Sequence, residues 1–118
     1  MIQKTKQSGT FRESAVPGLL TFFITGEIDH HNARAIREGI DRSLAANRTA
    51  TVKLDLSAVD FMDSSGLGLI LGRYTKVREF GGTLCIEGAS ERIIRILHMA
   101  GVDKIIAINK SQVHSPSV

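Results

Sequence analysis

The 118-residue sequence has no tryptophan, a single cysteine and two prolines, and only 5% of its residues are aromatic. One cysteine cannot form an internal disulfide, and the apolar neighbours of Cys85 predict a small buried side chain. The sequence also lacks an apolar run of the roughly 20 residues that a membrane span needs, and residues 1–4 carry no signal-peptide core. We therefore expect a cytoplasmic protein that does not bind membranes.

The basic residues form no dense run, although the net charge is +3 and the isoelectric point is about 9.4. The 15 Lys and Arg residues are scattered, and few aromatic side chains are present to stack on bases. Direct binding of nucleic acid is therefore not expected. A positive surface of this kind speeds association with an acidic protein partner.

Metal-binding and hydrolytic patterns are also missing. His30 and His31 are adjacent, and neighbouring helical residues diverge by about 100°, so they rarely bind one ion. His98 and His114 are isolated in the sequence, and no second Cys or His cluster has ligand spacing. The Gly-x-Ser-x-Gly element of serine hydrolases is absent as well. We expect no metal, no cofactor and no catalysis by this chain.

The length fits one domain, and no repeat or linker divides it. Alternation and apolar runs predict strands at residues 10–14, 19–25, 51–56, 83–87 and 105–108. Helical spacing predicts inner faces made of residues 33, 36, 40 and 44, of residues 67, 70, 71, 74 and 77, and of residues 93, 96, 97 and 100. The prediction is an α/β fold of order ββαβαβαβ, with one mixed sheet over residues 10–109 and flexible flanks at 1–9 and 110–118.

The loops that follow parallel strands are predicted to form the functional edge. Asp29 follows the second strand and Ser64 follows the third, so both are expected at that edge. Either Asp29 or Asn32 is suited to cap the first helix. Gly81-Gly82 and Gly101 are expected to end the second and third helices, and Ser90 to begin the third.

The segment 59–68 carries the densest set of polar and small residues, VDFMDSSGLG, between a strand and a helix. One interpretation is a helix N-cap, in which Asp63 or a serine accepts hydrogen bonds from free backbone amides. A cap needs only one such side chain. The second interpretation is that the remaining serine stays accessible to a modifying enzyme or a partner.

Gly68 and Gly72 lie within the predicted helix, where each glycine costs up to about 1 kcal/mol relative to alanine. One interpretation is close packing against a neighbouring strand. The other is an exposed docking surface, with Leu69 at its centre, Arg73 at its rim and Lys76 beside it.

Gly66, Gly68 and Gly72, with Glu87 about 20 residues further on, weakly match a dinucleotide-binding fingerprint. Three features oppose it. Nine residues separate the predicted strand end, Leu56, from the first glycine. The carboxylate of Asp63 lies where a pyrophosphate would bind, and the chain is short for two mononucleotide halves.

Three segments resemble a known family: GEIDHH from residue 26, LDL from residue 54, and above all FMDSSGLGLILGRY over residues 61–74. They are similar to the bacterial anti-anti-sigma factors, or anti-sigma factor antagonists, which are STAS-domain proteins, and the similarity is greatest to sporulation members. The resemblance extends from about residue 19 to residue 108. It implies a single STAS-type domain, a mixed sheet with helices in the order given above.

The resemblance implies a regulatory switch. The unphosphorylated form would bind an anti-sigma factor that is also a serine kinase, and so release the sigma factor. The kinase would phosphorylate Ser64, the complex would dissociate, and a serine phosphatase would restore the active form. The free protein is expected to be a monomer. The proposed partner surface consists of Asp29, Asp63, Ser65, Gly66, Leu67, Gly68, Leu69, Gly72 and Arg73. A nucleotide-sensing module that uses the same loop remains the alternative, and the sigma factor could belong to sporulation or to general stress.

Overall fold

The computed structural model describes residues 10–48 and 50–110. The strands are β1 (Thr10–Val16), β2 (Leu19–Ile28), β3 (Thr51–Met62), β4 (Thr83–Ala89) and β5 (Ala107–Lys110). The helices are α1 (Ala33–Ala46), α2 (Ser64–Glu79) and α3 (Glu91–Met99), and a short 3-10 helix, Val102–Lys104, precedes β5. The predicted order ββαβαβαβ is confirmed. The predicted flexible flanks lie outside the described residues, except Lys110, which belongs to β5.

The five strands form one sheet in the order β1-β2-β3-β4-β5. β1 pairs antiparallel with β2, and all later pairs are parallel. The turn between β1 and β2 contains Gly18 with φ at 81°, a conformation that glycine adopts without strain. Each parallel pair is joined through a helix, so the ends of β2, β3 and β4 point to the same edge.

One face of the sheet is buried, as the alternating pattern requires. Its side chains come from the three central strands, and each helix adds apolar residues to the same core: Leu20, Phe22, Ile24, Val52, Leu54, Leu56, Leu84 and Ile86 from the sheet, and Ile36, Ile40, Leu44, Ile70, Val77, Ile93 and Leu97 from the helices. The opposite face, with Lys53, Asp55 and Glu87, is only partly buried. The helices therefore cover one side of the sheet.

β3 is twice as long as the sequence predicts, because it continues to Met62 instead of ending at Leu56. Its register with β2 shifts twice, so that β3 carries two extra residues over this stretch. Each shift breaks the alternation, and Ser57 and Ala58 are consecutive exposed residues. The broken period hid the second half of the strand. Because β3 ends at Met62, Gly66 follows the strand closely. The argument against a dinucleotide site that rested on the distance between strand end and first glycine therefore no longer applies.

The last strand begins later than predicted. Gly101 ends α3 in a left-handed conformation, with φ at 79°, as expected, but a 3-10 turn follows it. Ile105 is 52% exposed and Ile106 is buried, and both precede β5. The apolar pair therefore belongs to the connection and not to the strand.

The other helix ends agree with the predictions. The Ser90 hydroxyl accepts a hydrogen bond from the Ile93 amide at the start of α3. At the end of α2, Gly81 has φ at 84°, and the Gly82 amide donates to the Val77 carbonyl at 2.9 Å, which is a Schellman motif. No helix in the described part of the chain is long and apolar enough to cross a membrane.

Cys85 lies on the partly exposed face of β4 and is partly buried, where full burial was predicted. Burial and the neighbouring Glu87 carboxylate raise the pKa of its thiol, although Lys53 acts in the opposite direction. A raised pKa lowers the thiolate fraction, so Cys85 lacks the electropositive surroundings of a reactive cysteine.

Candidate functional site

The turn after β2 and the junction after β3 meet at the predicted edge. The Asp63 amide donates to the Ile28 carbonyl at 3.1 Å, and the Nδ1 atom of His30 lies 4.0 Å from Asp63 Oδ2. The expectation that Asp29 and Ser64 share one edge of the sheet is therefore confirmed.

Asp63 is the N-cap of α2, so the cap is formed by the carboxylate and not by a serine. Its Oδ1 atom accepts a hydrogen bond from the Ser65 amide at 2.8 Å. Partial burial alone would raise the pKa of Asp63, but hydrogen bonds from Ser65, Gly66 and the His30 amide outweigh it and hold the pKa below its ordinary value. The carboxylate thus stays ionised and binds the Ser65 amide, one of the free amides of the first helical turn.

Ser64 is the first residue of α2 and is exposed. Its hydroxyl has no hydrogen-bond partner within residues 10–48 and 50–110. Ser65, by contrast, is partly buried and is bound to the Asp63 carboxylate. Of the two serines, Ser64 presents the free hydroxyl.

Gly66 is buried at the point where α2 comes closest to the sheet. A Cβ atom at this position would lie 2.7 Å from Met62 Cβ and 3.3 Å from Ile28 Cγ2. Any larger residue would push the first turn of α2 away from β2 and β3. Gly66 therefore sets the position of the neighbouring Ser64.

Asp29 organises the entry into α1. Its carboxylate accepts from the His31 amide at 2.9 Å and from the Asn32 amide at 3.2 Å. The Asn32 side chain, in turn, accepts from the Asp29 amide and donates to the Glu27 carbonyl. Asn32 is the N-cap residue of α1, but its side chain makes no hydrogen bond to the helix. In place of the predicted side-chain cap, Asp29 and Asn32 bind each other's backbone amides in the turn before α1.

The exposed docking face predicted on α2 is wrong for two of its residues. Leu69 is 4% exposed and Arg73 is 5% exposed. Leu67 is partly buried against the core, whereas Gly68 is exposed and Gly72 is partly exposed. Leu69 and Arg73 are covered because α2 packs against α1 as well as against the sheet.

Gly68 and Gly72 do not provide close packing, since a Cβ atom at either position would meet no atom within 4 Å. They form the open floor of a groove between α1 and α2, with Ala33, Arg34 and Arg37 along the α1 side. Leu69 and Arg73 line the same groove from below. The groove begins at Ser65, directly beside Ser64.

His30, His31 and His98 belong to no cluster of potential metal ligands in the described part of the chain. No group of three or more potential ligands occurs within the described residues, and the His30 and His31 rings stack with their centroids 4.0 Å apart. His98, isolated in the sequence, is paired in the structure with a single carboxylate, with its Nδ1 atom 2.6 Å from Asp103 Oδ2. His114 lies outside the described residues.

Sequence reasoning missed Arg34 and Arg37 as parts of this region. Their spacing along α1 places them next to one another on a helix face, but it does not show that α2 lies alongside. The contact of buried Arg73 with Asp41, 2.9 Å from Nε to Oδ1, is equally invisible in the sequence, since 32 positions separate the two residues.

Comparison with known proteins finds a family match and several similar proteins. The family model for the STAS domain matches residues 12–115. The anti-sigma F factor antagonist of Paenibacillus polymyxa is 35% identical over 98 residues, which cover 83% of this chain and 84% of that protein. The anti-sigma-B factor antagonist of Bacillus subtilis is 38% identical over 86 residues, or 73% and 77% of the two chains. The solved structure of the anti-sigma factor antagonist SpoIIAA in its unphosphorylated form has a TM-score of 0.73 and 25% identity, over 84% and 87% of the two chains.

Proposed function

We propose that this chain, which belongs to the STAS-domain family of anti-sigma factor antagonists, binds an anti-sigma factor when unphosphorylated and is switched off by phosphorylation of Ser64. Membership of the family, predicted from residues 61–74, is confirmed by the family match and by the relatives named as antagonists. The bound anti-sigma factor is a serine kinase that transfers the phosphoryl group from ATP, and a phosphatase reverses the modification in the cytoplasm. The chain is a regulatory binding protein and not an enzyme.

The observation that carries the proposal is the division of roles between Asp63 and Ser64. Because the carboxylate caps α2, the Ser64 hydroxyl is left exposed and without a partner in the described residues. A kinase needs an accessible hydroxyl on a backbone of defined position, and Gly66 provides that position by fixing the first turn against Met62.

The partner surface extends from this serine along the groove. Asp29, Asp63 and Ser65 lie at its sheet end, and Gly66, Leu67, Gly68, Leu69, Gly72 and Arg73 follow along α2. Gly68 and Gly72 leave room for a partner's backbone to approach closely. Leu69 and Arg73 line the groove from below the two glycines, in keeping with their burial.

A nucleotide-sensing role for the same loop is less favoured. Phosphate groups bind helix N-termini through free backbone amides. In α2 the Asp63 carboxylate already accepts from the Ser65 amide, the Gly66 amide donates to the Asp63 carbonyl at 2.9 Å, and the charge of the carboxylate would repel a phosphate.

The test is phosphorylation by the cognate anti-sigma factor kinase with ATP, followed by mass mapping. We expect one phosphoryl group on the peptide that contains Ser64. Ser64→Ala should abolish the labelling, whereas the control Ser14→Ala, at an exposed serine of β1 outside the partner surface, should keep it. Full labelling of Ser64→Ala would overturn the assignment of the site.

A further inference from the structure

The groove between α1 and α2 is lined by three arginines, of which one has no acidic partner among the described residues. Arg34, Arg37 and Arg73 line it, together with His30. Arg34 is paired with Glu38 at 3.2 Å, on the exposed side of α1. Arg37 has no ion pair within residues 10–48 and 50–110. Its positive charge therefore faces the groove uncompensated.

Arg73 is a buried cation whose donors are incompletely used. Its Nε atom is 2.9 Å from Asp41 Oδ1, which pairs the two charges, and Nη1 makes no hydrogen bond among the described residues. Burial lowers the pKa of Arg73, Asp41 raises it, and Arg37, which lines the same groove, lowers it by repulsion. Arginine remains charged in proteins, so Arg37 and Arg73 are both cations of the groove, and the carboxylate that pairs with Arg73 comes from Asp41, which is not among the groove's lining residues.

The cation that an incoming carboxylate can reach is Arg37, because Arg37 is exposed whereas Arg73 is 5% exposed and its Nε and Nη1 atoms are buried. The groove is accessible to a carboxylate, since Gly68 and Gly72 place no side chain in it and it encloses about 530 Å³. That space accommodates a side chain from a partner backbone that passes over the glycines.

We infer that this groove binds an acidic segment of the anti-sigma factor partner, with a partner carboxylate paired with the exposed Arg37 above the buried Arg73. The inference rests on the proposed function, and it specifies the chemistry of the partner. It also explains the effect of a phosphate on Ser64. The dianion would stand at the sheet end of the groove and repel the same acidic segment that the arginines attract.

The test is the affinity of the full chain for its cognate anti-sigma factor, measured by calorimetry in ADP so that no phosphoryl group is transferred. Arg37→Gln should weaken binding at least fivefold, and Arg37→Glu should weaken it further. Raising the salt concentration should weaken the wild-type complex more than the Arg37→Gln complex. Thermal melts of the free variants should match the wild type, because Arg37 is exposed.

Arg42→Gln is the matched control. Arg42 is on the same helix, is exposed, and lies about 140° around the helix axis from Arg37. It carries the same change of charge, so its complex should stay within about twofold of the wild type. Equal effects of Arg37→Gln and Arg42→Gln would overturn the groove assignment and leave the proposed function standing.

Two further outcomes are decisive. If the wild type neither binds the anti-sigma factor nor becomes phosphorylated at Ser64, the proposed function and this inference both fall. If ATP or inorganic phosphate binds the free chain and Arg37→Gln abolishes that binding while leaving the affinity for the anti-sigma factor unchanged, the groove is a phosphate site and the inference is overturned.

Discussion

Asp63 and Ser64 are sequence neighbours with separate physical tasks. The Asp63 carboxylate accepts a hydrogen bond from the Ser65 amide at 2.8 Å and so caps the first turn of α2. The Ser64 side chain takes no part in this cap. A phosphate on Ser64 would be favoured by the positive end of the helix dipole but would find the first amides already occupied. The modification is therefore expected to change the surface and not the cap.

At the same residue scale, the stabilising effect of Asp63 should depend on pH. Because its pKa is lower in the folded protein than in the unfolded chain, its contribution is fully present above its ordinary pKa and is lost as the pH falls through the folded value. Urea unfolding between about pH 5 and pH 2 should show the gap in stability between wild type and Asp63→Asn narrowing as the pH falls. A gap that stays constant over this range would contradict the assigned cap.

At the scale of elements, α2 is held on two sides. One side packs on β3 and β4, and the other packs on α1. The glycines of the helix divide accordingly, since Gly66 is pressed against Met62 whereas Gly68 and Gly72 face open space. The same residue type thus fixes the helix at one position and leaves a groove open at the others.

This division predicts opposite effects for two similar substitutions. Gly66→Ala should destabilise the protein by about 1–3 kcal/mol, because the new Cβ would lie 2.7 Å from Met62 Cβ. Gly68→Ala should stabilise it by up to about 1 kcal/mol, because alanine has the higher helix propensity and its Cβ meets nothing within 4 Å. Denaturant unfolding of the two variants measures both, and equal effects would refute the packing at Gly66.

At the scale of the whole molecule, the order of elements and the shared edge of Asp29 and Ser64 could be predicted, because alternation and helical spacing are local signals. The burial of Leu69 and Arg73 could not. The spacing of apolar residues predicts which face of α2 packs on the sheet. It does not predict the contact of α2 with α1, which buries Leu69 and Arg73, because that contact depends on how two distant segments pack. The second half of β3 was hidden by its two register shifts for a related reason, since a bulge removes the period that identifies a strand.

The proposed switch requires that a negative charge at Ser64 leave the fold intact while it removes the partner. Ser64→Asp places a carboxylate at an exposed N-terminal position of α2, where the helix dipole favours it and no core residue is displaced. We expect its free energy of unfolding to remain within about 1 kcal/mol of the wild type. Its affinity for the anti-sigma factor should fall about fivefold or more, that is by ~1 kcal/mol, since the new charge stands beside the groove that attracts the partner's acidic segment.

Unfolding and calorimetric titration of one preparation of Ser64→Asp separate the effect on stability from the effect on affinity. A large loss of stability would point to a switch that melts the domain, and unchanged affinity in a stable variant would remove repulsion as the mechanism.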